Sequence, residues 1–105
     1  MAKKIDSSIS KSLDKYIAEI RKYYRIDAVF LFGSHARGTA NQDSDIDVAI
    51  ISPDISNEFI DGFQLMRHSR NIDLRIEPHA IMKKDYETNA TPFISEIIRT
   101  GIKIA

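Results

Sequence analysis

From Ile5 the apolar positions fall at Ile9, Leu13, Tyr16, Ile17, Ile20 and Tyr24, the stripe of one helix face. Asp6, Ser7 and Ser8 supply capping side chains ahead of it, so the spacing predicts an amphipathic helix over 7–25. Lys11, Lys15, Arg21 and Lys22 take much of its other surface and read as a solvated face. The period then changes. Residues 27–33 and 45–52 are short, nearly continuous apolar runs bounded by polar segments, the pattern of buried strands. After a turn at Ser52-Pro53-Asp54, Phe59, Ile60, Phe63 and Met66 recur at helical spacing and predict a helix over 56–69, weakened slightly by Gly62. Ile72-Asp73-Leu74-Arg75-Ile76 alternates and predicts a third strand that Pro78 ends. Residues 79–90 carry little pattern.

Thr91-Pro92 is a helix start, with Thr91 as N-cap and Pro92 at the first helical position. Ile94, Ile97 and Ile98 form the stripe of that last helix, and Gly101 is placed to close it in a left-handed conformation. Ile102-Lys103-Ile104 reads as a short edge strand. The order of elements gives an α+β fold with α and β alternating: a small mixed β-sheet with helices packed on it. A helix lies between strands two and three, so those two can run parallel.

The chemistry gathers between the first two strands, in Phe32-Gly33-Ser34 and Asp45-Ile46-Asp47. Asp45 and Asp47 are two apart, and on a strand such side chains share a face. Two carboxylates on a stiff element suit a hard divalent cation such as Mg²⁺. Gly33-Ser34 closes one strand and Asp45 opens the next, so both act on one ligand only if the strands are antiparallel. Gly33 lets backbone approach a ligand without a Cβ in the way. The Ser34 hydroxyl and the free N–H groups of a short helical turn ending at Gly38 would face an anion such as phosphate. Asp73, at the start of the expected third strand, is placed at the same sheet end as Asp45 and Asp47. The plainer alternative pairs it with Arg75 on an exposed face. A calcium loop starting at Asp43 fails because its sixth position is Val48, its twelfth is Asp54, and Val48-Ala49-Ile50-Ile51 reads as a strand.

Composition narrows the class without naming it. The chain of 105 residues reads as a single domain over 1–105, with 43% apolar and 29% charged residues, an ordinary balance for a soluble globular protein. Formal net charge is zero, so nothing global argues for nucleic-acid binding. The absence of cysteine excludes disulfides and thiolate metal sites. Met1-Ala2-Lys3-Lys4 leads into a polar segment, and no apolar run is long enough to span a bilayer. A soluble, cytoplasmic protein is the expectation.

Gly33-Ser34, ten residues, then Asp45-x-Asp47, with Ala36-Arg37-Gly38 between, resembles the signature of the DNA polymerase beta-like nucleotidyltransferase superfamily, and the small size resembles its minimal branch. The resemblance implies that fold, with two Mg²⁺ ions held by Asp45 and Asp47 and a third carboxylate, assigned here to Asp73, that helps activate the acceptor hydroxyl. It assigns the nucleotide phosphates to Gly33 and Ser34. Arg37 is left between a phosphate contact and a salt bridge inside the loop. His35 is read mainly as structural, Arg75 mainly as an ion-pair partner, and His68 and His79 receive no role. The resemblance further implies transfer of AMP from ATP to a tyrosine of a small helical HEPN-type toxin, this chain being the antitoxin. A binding module that neutralises its partner without catalysis is the competing reading. Transfer to a small molecule or RNA is a third, which a homo-oligomer with a shared cleft would favour.

Overall fold

A computed structural model describes residues 5–105. Nine elements follow one another: α1 (Ser7–Ile20), β1 (Ala28–Phe32), α2 (Ser34–Arg37), β2 (Ile46–Ser52), α3 (Glu58–Ser69), β3 (Ile76–Met82), α4 (Lys83–Glu87), α5 (Pro92–Thr100) and β4 (Ile102–Lys103). The strands form one mixed sheet in the order β3-β2-β1-β4. β1 is antiparallel to β2 and β4, and β2 is parallel to β3. The α+β class and the mixed sheet therefore stand as expected.

Strand alternation divides the core into two faces. Val29 and Leu31 of β1, Ile46, Val48 and Ile50 of β2, and Ile76 and Ala80 of β3 turn to the side covered by α1 and α3. There Ile9, Leu13, Tyr16, Ile17 and Ile20 fill the space, and the buried Tyr16 hydroxyl donates to the Leu65 carbonyl at 2.8 Å. A smaller cluster on the opposite face joins Ala28, Phe30, Ala49, Ile51 and Ile81 to Ile94 and Ile97 of α5.

Capping sets the helix limits. Asp6 accepts from the Ser8 N–H at 2.8 Å, and Thr91 Oγ1 accepts from the Ile94 N–H at 3.1 Å with Pro92 at the first position. α1 ends at Ile20, earlier than the periodicity suggests, because the chain passes into turns in which the Tyr23 and Tyr24 N–H groups both return to the Ile20 carbonyl. In α3 the spacing marked the helix but not its buried side. Phe59 is 89% exposed, with Ile60 and Phe63 also outward, and Leu65 and Ser69 face the core.

Two expectations need correction. Gly101 is extended (φ −77°, ψ 167°), not left-handed. Glycine is required there by crowding, since a Cβ would stand 2.6 Å from the Ile97 carbonyl oxygen and 3.1 Å from that of Leu31. The third strand is displaced by four residues. Residues 72–75 form turns in which Leu74 is 83% exposed, and β3 begins at Ile76 and runs through Pro78. Pro78 is tolerated because β3 lies at the sheet edge, where a missing N–H breaks no ladder on the outer side.

Candidate active site

The end of β1 meets the start of β2, with Phe32 directly opposite Asp47. Gly33 follows in a backbone conformation (φ 74°, ψ −152°) that belongs essentially to glycine. A Cβ on it would lie 2.5 Å from Asp47 Oδ2, so the turn rests directly on the carboxylate. Ser34 opens α2, and Gly38 closes it in the left-handed region at φ 75°. The connection back to β2 is braced locally: Asn41 Oδ1 accepts from the Asp43 N–H at 2.9 Å, and Ser44 Oγ accepts from the Asn41 N–H at 3.0 Å. His35 Nε2 lies 3.3 Å from the Ser44 carbonyl, which gives it a bracing role in this loop.

Asp47 projects to the α5 face of the sheet, as alternation with the buried Ile46 and Val48 requires. On the neighbouring parallel strand the residue in register with it is Glu77. Asp45, exposed just before β2, is close enough for its carboxylate to act on Glu77. Burial, the contact with Asp45 and the nearby Asp47 and Asp45 charges together push the Glu77 carboxyl above the usual carboxylate range, and His79 offsets this in part. Asp45 and Asp47 border a cleft of about 590 Å³, together with Phe32, Gly33, Ser34 and Arg37 on one side and Phe93, Glu96, Ile97 and Thr100 of α5 on the other, and Glu77 stands behind Asp47 on the neighbouring strand. Arg37 is exposed at its rim and forms no ion pair among the described residues.

Asp73 lies elsewhere. Its Oδ2 accepts from the Ser12 hydroxyl of α1 at 2.8 Å and from Arg75 Nη2 at 2.8 Å, and its Oδ1 accepts from the Arg75 N–H and Nε at 3.0 Å. The carboxylate thus turns to the α1 side of the sheet and ties the turn ahead of β3. Arg75 holds it well below the ordinary range, at about 2. The expectation that Asp73 completes a triad with Asp45 and Asp47 is corrected by this geometry: the position beside Asp47 belongs to Glu77, and Arg75 serves as the structural partner of Asp73.

Two residues escaped the sequence reading, Glu77 and His79, both on the real β3. One oxygen each of Asp47 and Glu77 and one ring nitrogen of His79 all lie within 4.8 Å of one another, a set able to hold a metal ion. The signal that could have found them is the alternation Ile76-Glu77-Pro78-His79-Ala80-Ile81, legible once proline is allowed on an edge strand.

Residues 14–105 match the family described as polymerase beta, nucleotidyltransferase. The chain belongs to this family. Nucleotidyltransferases of this kind generally use a divalent metal and a nucleotide, and Asp47, Glu77 and His79 form a set able to hold such an ion. The chain is 34% identical over 99 residues to "Putative protein adenylyltransferase MJ0141" of Methanocaldococcus jannaschii, covering 91% of this chain and 95% of that protein. It is 31% identical over 77 residues to "Putative protein adenylyltransferase MJ1215" of the same organism, covering 73% and 87%. The crystal structure of a "putative nucleotidyltransferase" from Sulfolobus solfataricus superposes with a TM-score of 0.58 at 24% identity, over 84% of each chain, and supports the fold.

Proposed function

We propose that this nucleotidyltransferase moves AMP from ATP to a hydroxyl of a protein acceptor, with Mg²⁺ held by Asp45, Asp47 and Glu77. The observation that carries the reading is the meeting of Asp47 with Glu77 across β2 and β3, under the Gly33-Ser34 turn and at the wall of an open cleft. The residues fit a hard cation: carboxylate oxygens from two adjacent strands, and glycine where any side chain would displace Asp47. When bound, the metal supplies charge neutralisation on the triphosphate and fixes its orientation.

The chain's own groups account for the remainder. The Ser34 hydroxyl and Arg37 border the same wall as the carboxylates and are positioned to contact phosphate oxygens. The acceptor oxygen bonds to the α-phosphorus as the bond to pyrophosphate breaks, and Glu77, the carboxylate beside Asp47 on the neighbouring strand, takes the hydroxyl proton. Protein as the acceptor class follows from the relatives' names as protein adenylyltransferases. The motif's resemblance to minimal nucleotidyltransferases further proposes a tyrosine of a HEPN-type toxin as acceptor, with this chain as antitoxin.

The test is incubation with labelled ATP, Mg²⁺ and such a partner. Label passes to the partner with the wild type and not with an Asp45→Asn/Asp47→Asn double variant. Failure of the wild type, or equal labelling by the variant, overturns the reading. A double variant that still neutralises the partner would favour inhibition by binding alone.

A further inference from the structure

His79 sits one pleat beyond Glu77 on β3, on the same face, and its register partner on β2 is the buried Ala49. So small a neighbour leaves room for the imidazole to lean back toward Asp47. The ring packs in a triangle with two aromatics, its centroid 5.1 Å from that of Phe32 and 5.7 Å from that of Phe93, whose own centroids are 5.6 Å apart. Packing of this kind fixes the ring's direction. Its Nε2 points at Asp47 Oδ1 from 3.6 Å, too far for a hydrogen bond. That nitrogen is shut off from solvent and has no hydrogen-bond partner. Buried polar atoms without partners are uncommon, and a missing ion is one of their ordinary explanations.

We infer that His79 Nε2 is a direct metal ligand beside Asp47 and Glu77, which gives this nucleotidyltransferase a mixed nitrogen–oxygen centre that favours Mn²⁺ over Mg²⁺. The inference rests on the proposed carboxylate site and extends it by one residue. Nε2 and the two carboxylate oxygens lie within 4.8 Å of one another, a spacing that a small closure of the side chains brings onto one ion. An imidazole nitrogen is a poor ligand for Mg²⁺, which prefers oxygen donors and keeps its waters, whereas it suits first-row transition metals. A purely structural His79 would instead be an aromatic filler that pairs weakly with Asp47.

Pulsed electron paramagnetic resonance on the wild-type protein loaded with Mn²⁺ alone separates the two. Histidine nitrogen coupling to Mn²⁺ is expected, altered by histidine-selective ¹⁵N labelling, lost in His79→Gln and retained in His35→Gln. By calorimetry, His79→Gln should weaken Mn²⁺ binding about tenfold and Mg²⁺ binding much less. Bound Mn²⁺ without histidine coupling in the wild type overturns the inference and leaves the carboxylate site standing, whether or not any variant folds. Coupling that persists in folded His79→Gln, or equal losses for both metals, also overturns it. No Mn²⁺ binding by the wild type overturns both the inference and the site beneath it.

Discussion

Asp73 and Glu77 are four residues apart, and their surroundings are opposite. Asp73 brings its own cation: Arg75 grips both of its oxygens, Ser12 adds a hydroxyl, and its affinity for a proton collapses. Glu77 has two other carboxylates for neighbours and no arginine or lysine in salt-bridge range among the described residues, and its affinity for a proton rises. A carboxylate whose charge is answered within the fold stabilises the fold. One gathered with others of its own sign costs stability until something positive arrives. Proximity in sequence says nothing about which is which, because the turn at 72–75 sends the two to opposite faces of the sheet.

The contrast breaks most visibly in activity. Asp45→Asn/Asp47→Asn should lower transfer by at least about 10³-fold and Glu77→Gln by about 10²- to 10³-fold, whereas Asp73→Asn should leave kcat within a few-fold, as measured by label transfer at saturating ATP. Gly33→Ala tests the turn that seats Asp47. Its Cβ meets Asp47 Oδ2 and its φ is positive, so activity should fall by about 10²-fold with a stability loss of about 1–3 kcal/mol by denaturant melts.

Stability should sort the two acids in the reverse order. The folded Asp73 carboxyl lies below its ordinary value of 3.8, at about 2, so its contribution is present above pH 3.8 and is lost as pH falls toward 2. Asp73→Asn should cost on the order of 2 kcal/mol at pH 7 and almost nothing near pH 2. For Glu77 the sign is opposite: the folded carboxyl is raised, so its penalty is present once pH exceeds the folded value and absent below the ordinary one. Glu77→Gln should therefore stabilise the metal-free protein at pH 7 by denaturant melts, a gain that disappears below the ordinary carboxylate range.

Much of this was legible in the sequence. The Gly33-Ser34 break, the period-two spacing of Asp45 and Asp47 and the antiparallel return between them are local features, and the structure places them on one cleft wall. The third strand was misplaced because Ile72-Asp73-Leu74-Arg75-Ile76 alternates as a strand does, although Asp73 closes a turn by accepting from the Arg75 N–H. Pro78 then read as a stop, and only knowledge that β3 is an edge strand removes that objection. The outward Phe59, Ile60 and Phe63 have a similar lesson: helical spacing marks a helix, while its buried face depends on what lies beside it.

The central claim is that the third metal-holding carboxylate is Glu77 and that Asp73 belongs to the scaffold. Thermal melting of the wild type, Asp73→Asn and Glu77→Gln, each with and without Mn²⁺ and a non-hydrolysable ATP analogue, tests it most directly, because only the folded site binds and raises the melting temperature. The account predicts that the rise survives in Asp73→Asn, on a lower baseline, and is lost in Glu77→Gln. A rise that survives in Glu77→Gln and vanishes in Asp73→Asn would contradict it.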